Sequence, residues 1–298
     1  MPVRHNHRSN IRQRVAGALR CLSMLTHLRP LGLALSILGL AGIGLAQAET
    51  ETPWTPAPKS RVRIIAAGGL SKTGLSDAVY QIGIEISLEG KALTYWRTPG
   101  EAGIPPEFNF TRSDNLAQAA VSYPAPFRID EAGGQAFGYQ QSVIFPITIH
   151  PKDPAQAVPL KLDLHYAVCE KICIPVDVTL ATELVPSQLI SSHAEALAQA
   201  RALVPVALTK GVTLVPLDKT HWRVTVAAEL KGVGDMFAEA PEGWYFETKP
   251  SADQSFELVL LERPKNGSNI ADPLVLTLVS SKGRYEITTH LDVGPASP

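Results

Sequence analysis

Two cysteines, Cys169 and Cys173, stand four positions apart in the segment Tyr166-Ala-Val-Cys-Glu-Lys-Ile-Cys-Ile-Pro175. Thiols at this spacing can form a disulfide that exchanges with other thiols, staple a loop, or hold a soft metal ion. A bridge needs α-carbons within about 7 Å. On a straight strand, positions i and i+4 lie roughly 13 Å apart at about 3.3 Å per residue. The pair therefore needs a tight loop or a helical turn. Apolar runs at Leu160 to Val168 and Ile174 to Leu180 flank it, so a loop joining two strands is expected, and Pro175 restricts how the chain leaves it.

Loop entropy separates the uses of such a pair. Closing a loop of about five residues gains roughly 2 kcal/mol, against about 4.7 kcal/mol for 100 residues. A domain of this size gains little from so short a clip, and short-loop disulfides tend to be exchangeable. The residues thus favour redox exchange, with a structural staple and metal binding as the open alternatives. Lys171 favours a thiolate and Glu170 opposes it, so the neighbours set no net direction. On a regular strand Leu160, Leu162, Leu164 and Tyr166 share one face, while His165 points the other way with Lys161 and Asp163. Two thiolates and His165 would suit Cu(I). Zinc wants four ligands, and no second Cys or Cys/His pair exists for it. No other cofactor is expected. The chain has no G-x-S-x-G elbow, no H-E-x-x-H and no phosphate-binding glycine loop. A Cys169–His165 hydrolase dyad is disfavoured by its four-residue separation.

The cysteine count depends on residues 1–48. Six arginines and no acid occupy residues 1 to 29, Leu31 to Leu45 is an unbroken run of apolar and small residues, and Ala46-Gln47-Ala48 ends it as a small-x-small cleavage site. This is the layout of a cleavable secretory signal peptide, with Met24 as an alternative start. The apolar run is short of the roughly 20 residues that span a bilayer, which disfavours an uncleaved anchor. Cleavage removes Cys21 and leaves 21 basic against 28 acidic residues, a net charge near −7. An acidic product without a basic stripe to neutralise phosphates gives no sign of a nucleic-acid partner, and none is expected.

Residues 49–60, with Pro53, Pro56 and Pro58, read as an extended exposed linker. Short alternating runs follow at Val62 to Ala66, Val79 to Leu88, Ser142 to Ile149, Leu160 to Tyr166 and Val176 to Leu184. In Tyr80 to Leu88 the isoleucines and Leu88 take every second position, the mark of a half-buried strand. Strands with no helix between them predict a mainly β fold, an antiparallel sandwich over residues 61–185. Ser192-His-Ala-Glu195 has the form of a capping box opening a helix over Ala194 to Val204, which Pro205 ends. Residues 186–204 are then a helical connector. Strand signals resume at Val212 to Pro216, Trp222 to Ala228, Trp244 to Thr248, Phe256 to Leu261, Leu274 to Val279 and Tyr285 to Leu291, predicting a second small β-sandwich over 205–298 with a structural or partner-binding role.

Four stretches carry a family likeness: Tyr95-Trp-Arg-Thr-Pro-Gly-Glu-Ala-Gly-Ile-Pro-Pro106, Tyr123-Pro-Ala-Pro-Phe-Arg128, Gly138-Tyr139 and the cysteine segment. Together they resemble the amino-terminal periplasmic domain of the thiol:disulfide interchange protein DsbD, in the branch of stand-alone and ScsB-type copper-tolerance relatives. The likeness covers about residues 60 to 185. It implies an immunoglobulin-like sandwich whose catalytic residues are Cys169 and Cys173. The pair would act as a protein-disulfide reductase component, taking electrons from a separate thioredoxin-like or membrane donor and passing them to periplasmic disulfide-containing acceptors, as such domains do in cytochrome c biogenesis. A Cu(I)-binding or copper-tolerance module, or an interaction protein with an inert disulfide, are the alternatives. Better-known relatives space their cysteines more widely, so the attacking cysteine does not transfer. The Trp96 stretch has two readings, sandwich packing or docking and shielding of the pair.

Overall fold

Alternation along the chain becomes sheet structure wherever one face can be buried. The computed structural model describes residues 51–69, 71–72, 78–100, 103–131, 134–187, 190–230, 232–264 and 269–294. The expected signal peptide, with Cys21 and Met24, lies outside the described residues. Among those described, the strands before the helix are β1 (Thr55–Ala57), β2 (Ser60–Ala66), β3 (Ser71–Lys72), β4 (Ala78–Leu88), β5 (Leu93–Gly100), β6 (Glu107–Asn109), β7 (Leu116–Val121), β8 (Phe127–Glu131), β9 (Gly134–Gln140), β10 (Ser142–Pro151), β11 (Val158–Cys169) and β12 (Cys173–Leu184). The helix α1 (Ala194–Ala202) follows, and then β13 (Val206–Leu208), β14 (Val212–Pro216), β15 (His221–Val226), β16 (Val233–Glu239), β17 (Tyr245–Pro250), β18 (Ser255–Glu262), β19 (Ile270–Ser280) and β20 (Arg284–Asp292).

The amino-terminal strands form two sheets, ordered β1-β2-β4-β10-β7 and β12-β11-β5-β9-β8, with β3 beside β4 and β6 beside β11. The arrangement is an immunoglobulin-like sandwich. Ile82, Ile84 and Ile86 from β4 meet Leu160, Leu162, Leu164 and Tyr166 from β11 in one core, all at most 1% exposed. The intervening Glu85 faces outward and is bound by Arg63 Nε at 2.8 Å. A buried 2.8 Å hydrogen bond between the Tyr166 and Ser60 hydroxyls satisfies both groups.

Two expected connectors are built into this sandwich instead. Residues 51–57 are extended but not free: β1 pairs with β2, Thr52 N donates to Ile64 O, and the Arg61 and Arg63 guanidiniums each stand 4.3 Å from the Trp54 ring centroid. Pro53, Pro56 and Pro58 are tolerated because this is a sheet edge. Helix α1 docks on the outer face of the first sheet, where Leu197 sits against Gly83, and a Cβ on that glycine would collide with the leucine and with Ile144. The capping box does not form. His193 is the N-cap without a side-chain bond, Ser191 Oγ accepts from His193 N, and Glu195 accepts from Gln199 instead. Ser191 Oγ also donates to Ala66 O, so the hydroxyl anchors the helix to the sheet rather than capping it from position 192.

The strands after α1 form sheets ordered β13-β20-β19-β16 and β14-β15-β18-β17 around a second core that includes Trp222, Met236, Phe246, Leu258 and Leu276. Within them β13 runs parallel to β20. Strand β16, whose Val-Gly-Asp-Met-Phe-Ala-Glu sequence lacks a clean alternation, was invisible to the pattern, as were β5, β7, β8 and β9 in the first sandwich.

Phe237 of β16 leaves this second core for the first. It is 1% exposed and packs edge-on against Phe137 at 4.9 Å and Trp96 at 5.9 Å. Two arginines flank the plug. Arg97 forms a two-pronged pair with Glu239 and also reaches Glu286, and Arg128 forms another with Asp235. Arg128 Nη2 further donates to Met236 O and Thr248 Oγ1, both at 2.9 Å.

Candidate functional site

Strands β11 and β12 are one hairpin, paired continuously from Val158↔Leu184 to Cys169↔Cys173. Glu170, Lys171 and Ile172 form its loop, and a disulfide joins Cys169 to Cys173 across the last pair, with α-carbons 4.1 Å apart. The expected loop between two strands is therefore a hairpin tip. Register puts Tyr166 and Val168 into the main core, while Ala167 and Cys169 face the other side of the sheet. There Cys169 joins a small separate cluster with Leu93, Tyr95, Ala136 and Ala167.

The two sulfurs are unequal. Cys169 is 1% exposed, whereas Cys173, Lys171 and Ile172 are exposed. Tyr95 separates them further: its hydroxyl donates to Cys169 Sγ at 2.7 Å and stands 3.4 Å from Cys173 Sγ. The same hydroxyl has a second, longer acceptor in Glu131 Oε2 at 3.3 Å, so its one proton lies between Cys169 Sγ and the carboxylate. Burial first, and then the Glu131 charge, push the Tyr95 phenol well above the usual tyrosine range, so it keeps its proton at any physiological pH.

Tyr95 is held at close quarters. It pairs with Gly138 on β9, where a Cβ would strike the Thr94 carbonyl oxygen, and Thr94 Oγ1 donates to Ala167 O at 2.8 Å. Gly103, with φ +131°, lies over the Tyr95 ring at a position where any side chain would run into it. Gly138→Val should therefore part β5 from β9 beside the tyrosine, costing about 1–3 kcal/mol. Urea unfolding measures this; a change within a few tenths of a kcal/mol would show that the strands tolerate separation.

An open groove of about 600 Å³ runs past the disulfide, with Leu93 and Ile129 on its apolar wall and Lys91, Glu131, Gln135 and Lys171 at its rim. The opposed charges beside the cysteines part company here. Glu170 is ion-paired with Lys59 at 3.4 Å, whereas no ion pair of Lys171 is found among the described residues.

His165 lies apart from the pair, with Nδ1 2.7 Å from Asp177 Oδ1 across the hairpin. Among the described residues no three His, Cys, Asp or Glu side chains gather as a metal site. Trp96 belongs to the packing reading of its stretch, buried against Phe237, and its neighbour Tyr95 is the residue at the cysteines. Sequence reasoning passed over Tyr95 and Glu131 as site residues. The adjacency of Tyr95 to the family-like Trp96-Arg97 motif was the available signal.

These features define a class: an immunoglobulin-like β-sandwich carrying a hairpin-tip disulfide beside a buried phenol. Residues 64–184 match the family model Thiol:disulfide interchange protein DsbD, N-terminal. Among solved structures, the N-terminal periplasmic domain of ScsB from Proteus mirabilis superposes with a TM-score of 0.64 at 21% sequence identity. That alignment covers 82% of this chain and 99% of the other, so the likeness of fold extends beyond residues 64–184. No curated protein sequence matches the chain.

Proposed function

We propose that residues 61–185 form a periplasmic thiol-disulfide exchange domain and that Cys169 and Cys173 relay reducing equivalents from a thioredoxin-like or membrane donor to disulfide-containing acceptors. The observation that carries this reading is the asymmetry of the disulfide, one sulfur exposed at a hairpin tip and the other buried on a hydroxyl donor. It is joined by the family match over the same residues. Residues 205–298 constitute a second domain under this reading, and residues 1–48 the export signal.

A donor thiolate attacks Cys173 Sγ in line with the bridge. The Cys169–Cys173 bond breaks, its electron pair stays on Cys169, and a mixed disulfide joins the donor to Cys173. The Tyr95 hydroxyl already donates to the sulfur on which this charge develops. The donor's second thiolate then attacks its own bridged sulfur and releases Cys173. The donor leaves as a disulfide and two electrons remain on the cysteine pair, whose thiolates take up from solvent the two protons that the donor thiols released on ionising. Delivery reverses the order: the Cys173 thiolate attacks an acceptor disulfide, and Cys169 displaces the reduced acceptor as the bridge re-forms.

The test is the reduction potential of the pair in glutathione redox buffers, with the rate of exchange against a thioredoxin-like donor. A potential above about −300 mV with rapid exchange supports the relay; a lower potential with slow exchange makes the bridge a structural staple. Tyr95→Phe should slow reduction of the bridge by the donor about tenfold or more, since a hydrogen bond to a charged group contributes about 1.5–3 kcal/mol. An unchanged rate in stopped-flow measurements would remove Tyr95 from the mechanism.

A further inference from the structure

Strand β5 is irregular at one place. Tyr95 pairs with Gly138 and Gly100 pairs with Ala136, so the four residues Trp96 to Pro99 stand opposite the single Phe137. A bulge of this size has lost its ladder partners and needs other contacts to hold its shape. Its immediate neighbours are the site's own parts: Tyr95 precedes it, and the chain beyond it returns to lay Gly103 over the Tyr95 ring.

The contacts that hold the bulge come from the carboxy-terminal sheets. Trp96 packs on Phe237. Arg97 Nε and Nη2 donate to the two Glu239 carboxylate oxygens at 2.8 and 2.6 Å, and Nη2 also reaches Glu286. Thr98 Oγ1 donates to Glu239 Oε2 at 2.8 Å. Glu239 thus grips two successive bulge residues, and its side chain is only 15% exposed. A fork-on-carboxylate pair fixes orientation as well as distance. The second clamp acts on the other wall, because Arg128 binds Asp235 and also donates to the groove residue Gln135, four positions after Glu131 in sequence.

We propose that the carboxy-terminal sheets set the redox behaviour of the Cys169–Cys173 pair, with Glu239 as a positioning residue that acts through Arg97 and Thr98 to keep the Tyr95 hydroxyl on Cys169. This rests on the exchange reading of the site. The sign follows from what the hydroxyl touches. It donates more strongly to a Cys169 thiolate than to a disulfide sulfur, so it stabilises the reduced form and raises the potential. Freeing the bulge lets the ring move off the sulfur, and the potential falls.

The experiment measures the glutathione equilibrium of the full-length protein for wild type, Glu239→Ala, Glu239→Gln, Thr98→Ala, Tyr95→Phe and the Glu239→Ala/Tyr95→Phe double variant. Tyr95→Phe and Glu239→Ala should each lower the equilibrium constant for reduction about tenfold, a shift of about 30 mV toward more negative values. Their combination should lower it no further, because both remove one interaction. Glu239→Gln, which keeps the shape and loses the charge, and Thr98→Ala, which leaves the ion pairs intact, should fall between wild type and Glu239→Ala and serve if Glu239→Ala does not fold. A potential unchanged in every folded Glu239 and Thr98 variant overturns the inference, as does a full additive drop in the double variant. The relay itself is read separately: a wild type that equilibrates with glutathione yet exchanges with no protein donor ends the exchange reading while the potentials still report on Glu239.

Discussion

Cys169→Ala is expected to capture a redox partner as a mixed disulfide in the periplasm, and Cys173→Ala to capture little or none. Both variants keep one thiol at the same hairpin tip, so the difference tests exposure and not mere presence. In Cys169→Ala the remaining Cys173 is exposed beside exposed Lys171 and Ile172, open to an approaching disulfide. In the proposed relay the wild-type mixed disulfide is short-lived, because Cys169 would stand behind it as the resolving thiol. Its removal halts the reaction at the adduct. In wild type Cys169 is 1% exposed and clustered with Leu93, Tyr95 and Ala136, so in Cys173→Ala a partner sulfur meets the survivor only through the opening the Cys173 sulfur leaves. The yields of disulfide-linked species on non-reducing gels should differ by at least an order of magnitude. Equal yields would mean that the hairpin tip opens readily, and a larger yield from Cys173→Ala would reverse the assigned roles.

Phe237→Ala should be the most destabilising single substitution at the junction of the two cores, by about 3–5 kcal/mol. The ring is 1% exposed and fills the space between Trp96 and Phe137, with the Arg128 guanidinium 5.1 Å from its centroid. Collapse into the vacated volume is opposed on both sides, because the Arg97–Glu239 and Arg128–Asp235 pairs hold the walls apart. Phe237→Leu retains most of the volume and should cost less than about 1.5 kcal/mol. Guanidinium unfolding of the two variants makes the comparison. A loss below about 1 kcal/mol for the alanine variant would show that the junction contributes little, and the coupling of Glu239 to the cysteines would lose its support.

Much of the first sandwich is legible in local pattern. Ile82, Ile84, Ile86 and Leu88 alternate with polar residues and all turn inward, because a strand's side chains change face at every residue wherever the partner sheet lies. The lead-in and α1 were harder. Proline and capping signals mark where a segment begins and ends, but whether it lies free or against a sheet depends on surfaces such as the one Gly83 leaves open for Leu197. Strand β5 was missed because Tyr95-Trp96-Arg97 carries no alternation; one residue serves the cysteine face, the next the core, and the third the carboxy-terminal sheets.

The spacing of Cys169 and Cys173 by itself required a tight loop or a helical turn for a bridge, since no extended segment brings positions i and i+4 within bonding reach, and the flanking apolar runs pointed to a loop between strands. The inequality of the two sulfurs was decided only by the fold. It depends on a tyrosine 74 residues away meeting Cys169, and the setting of that tyrosine depends on a glutamate 142 residues beyond Arg97. Period and spacing act along a few residues of chain, whereas hydrogen bonds across such separations exist only once register and sheet packing have brought the strands together.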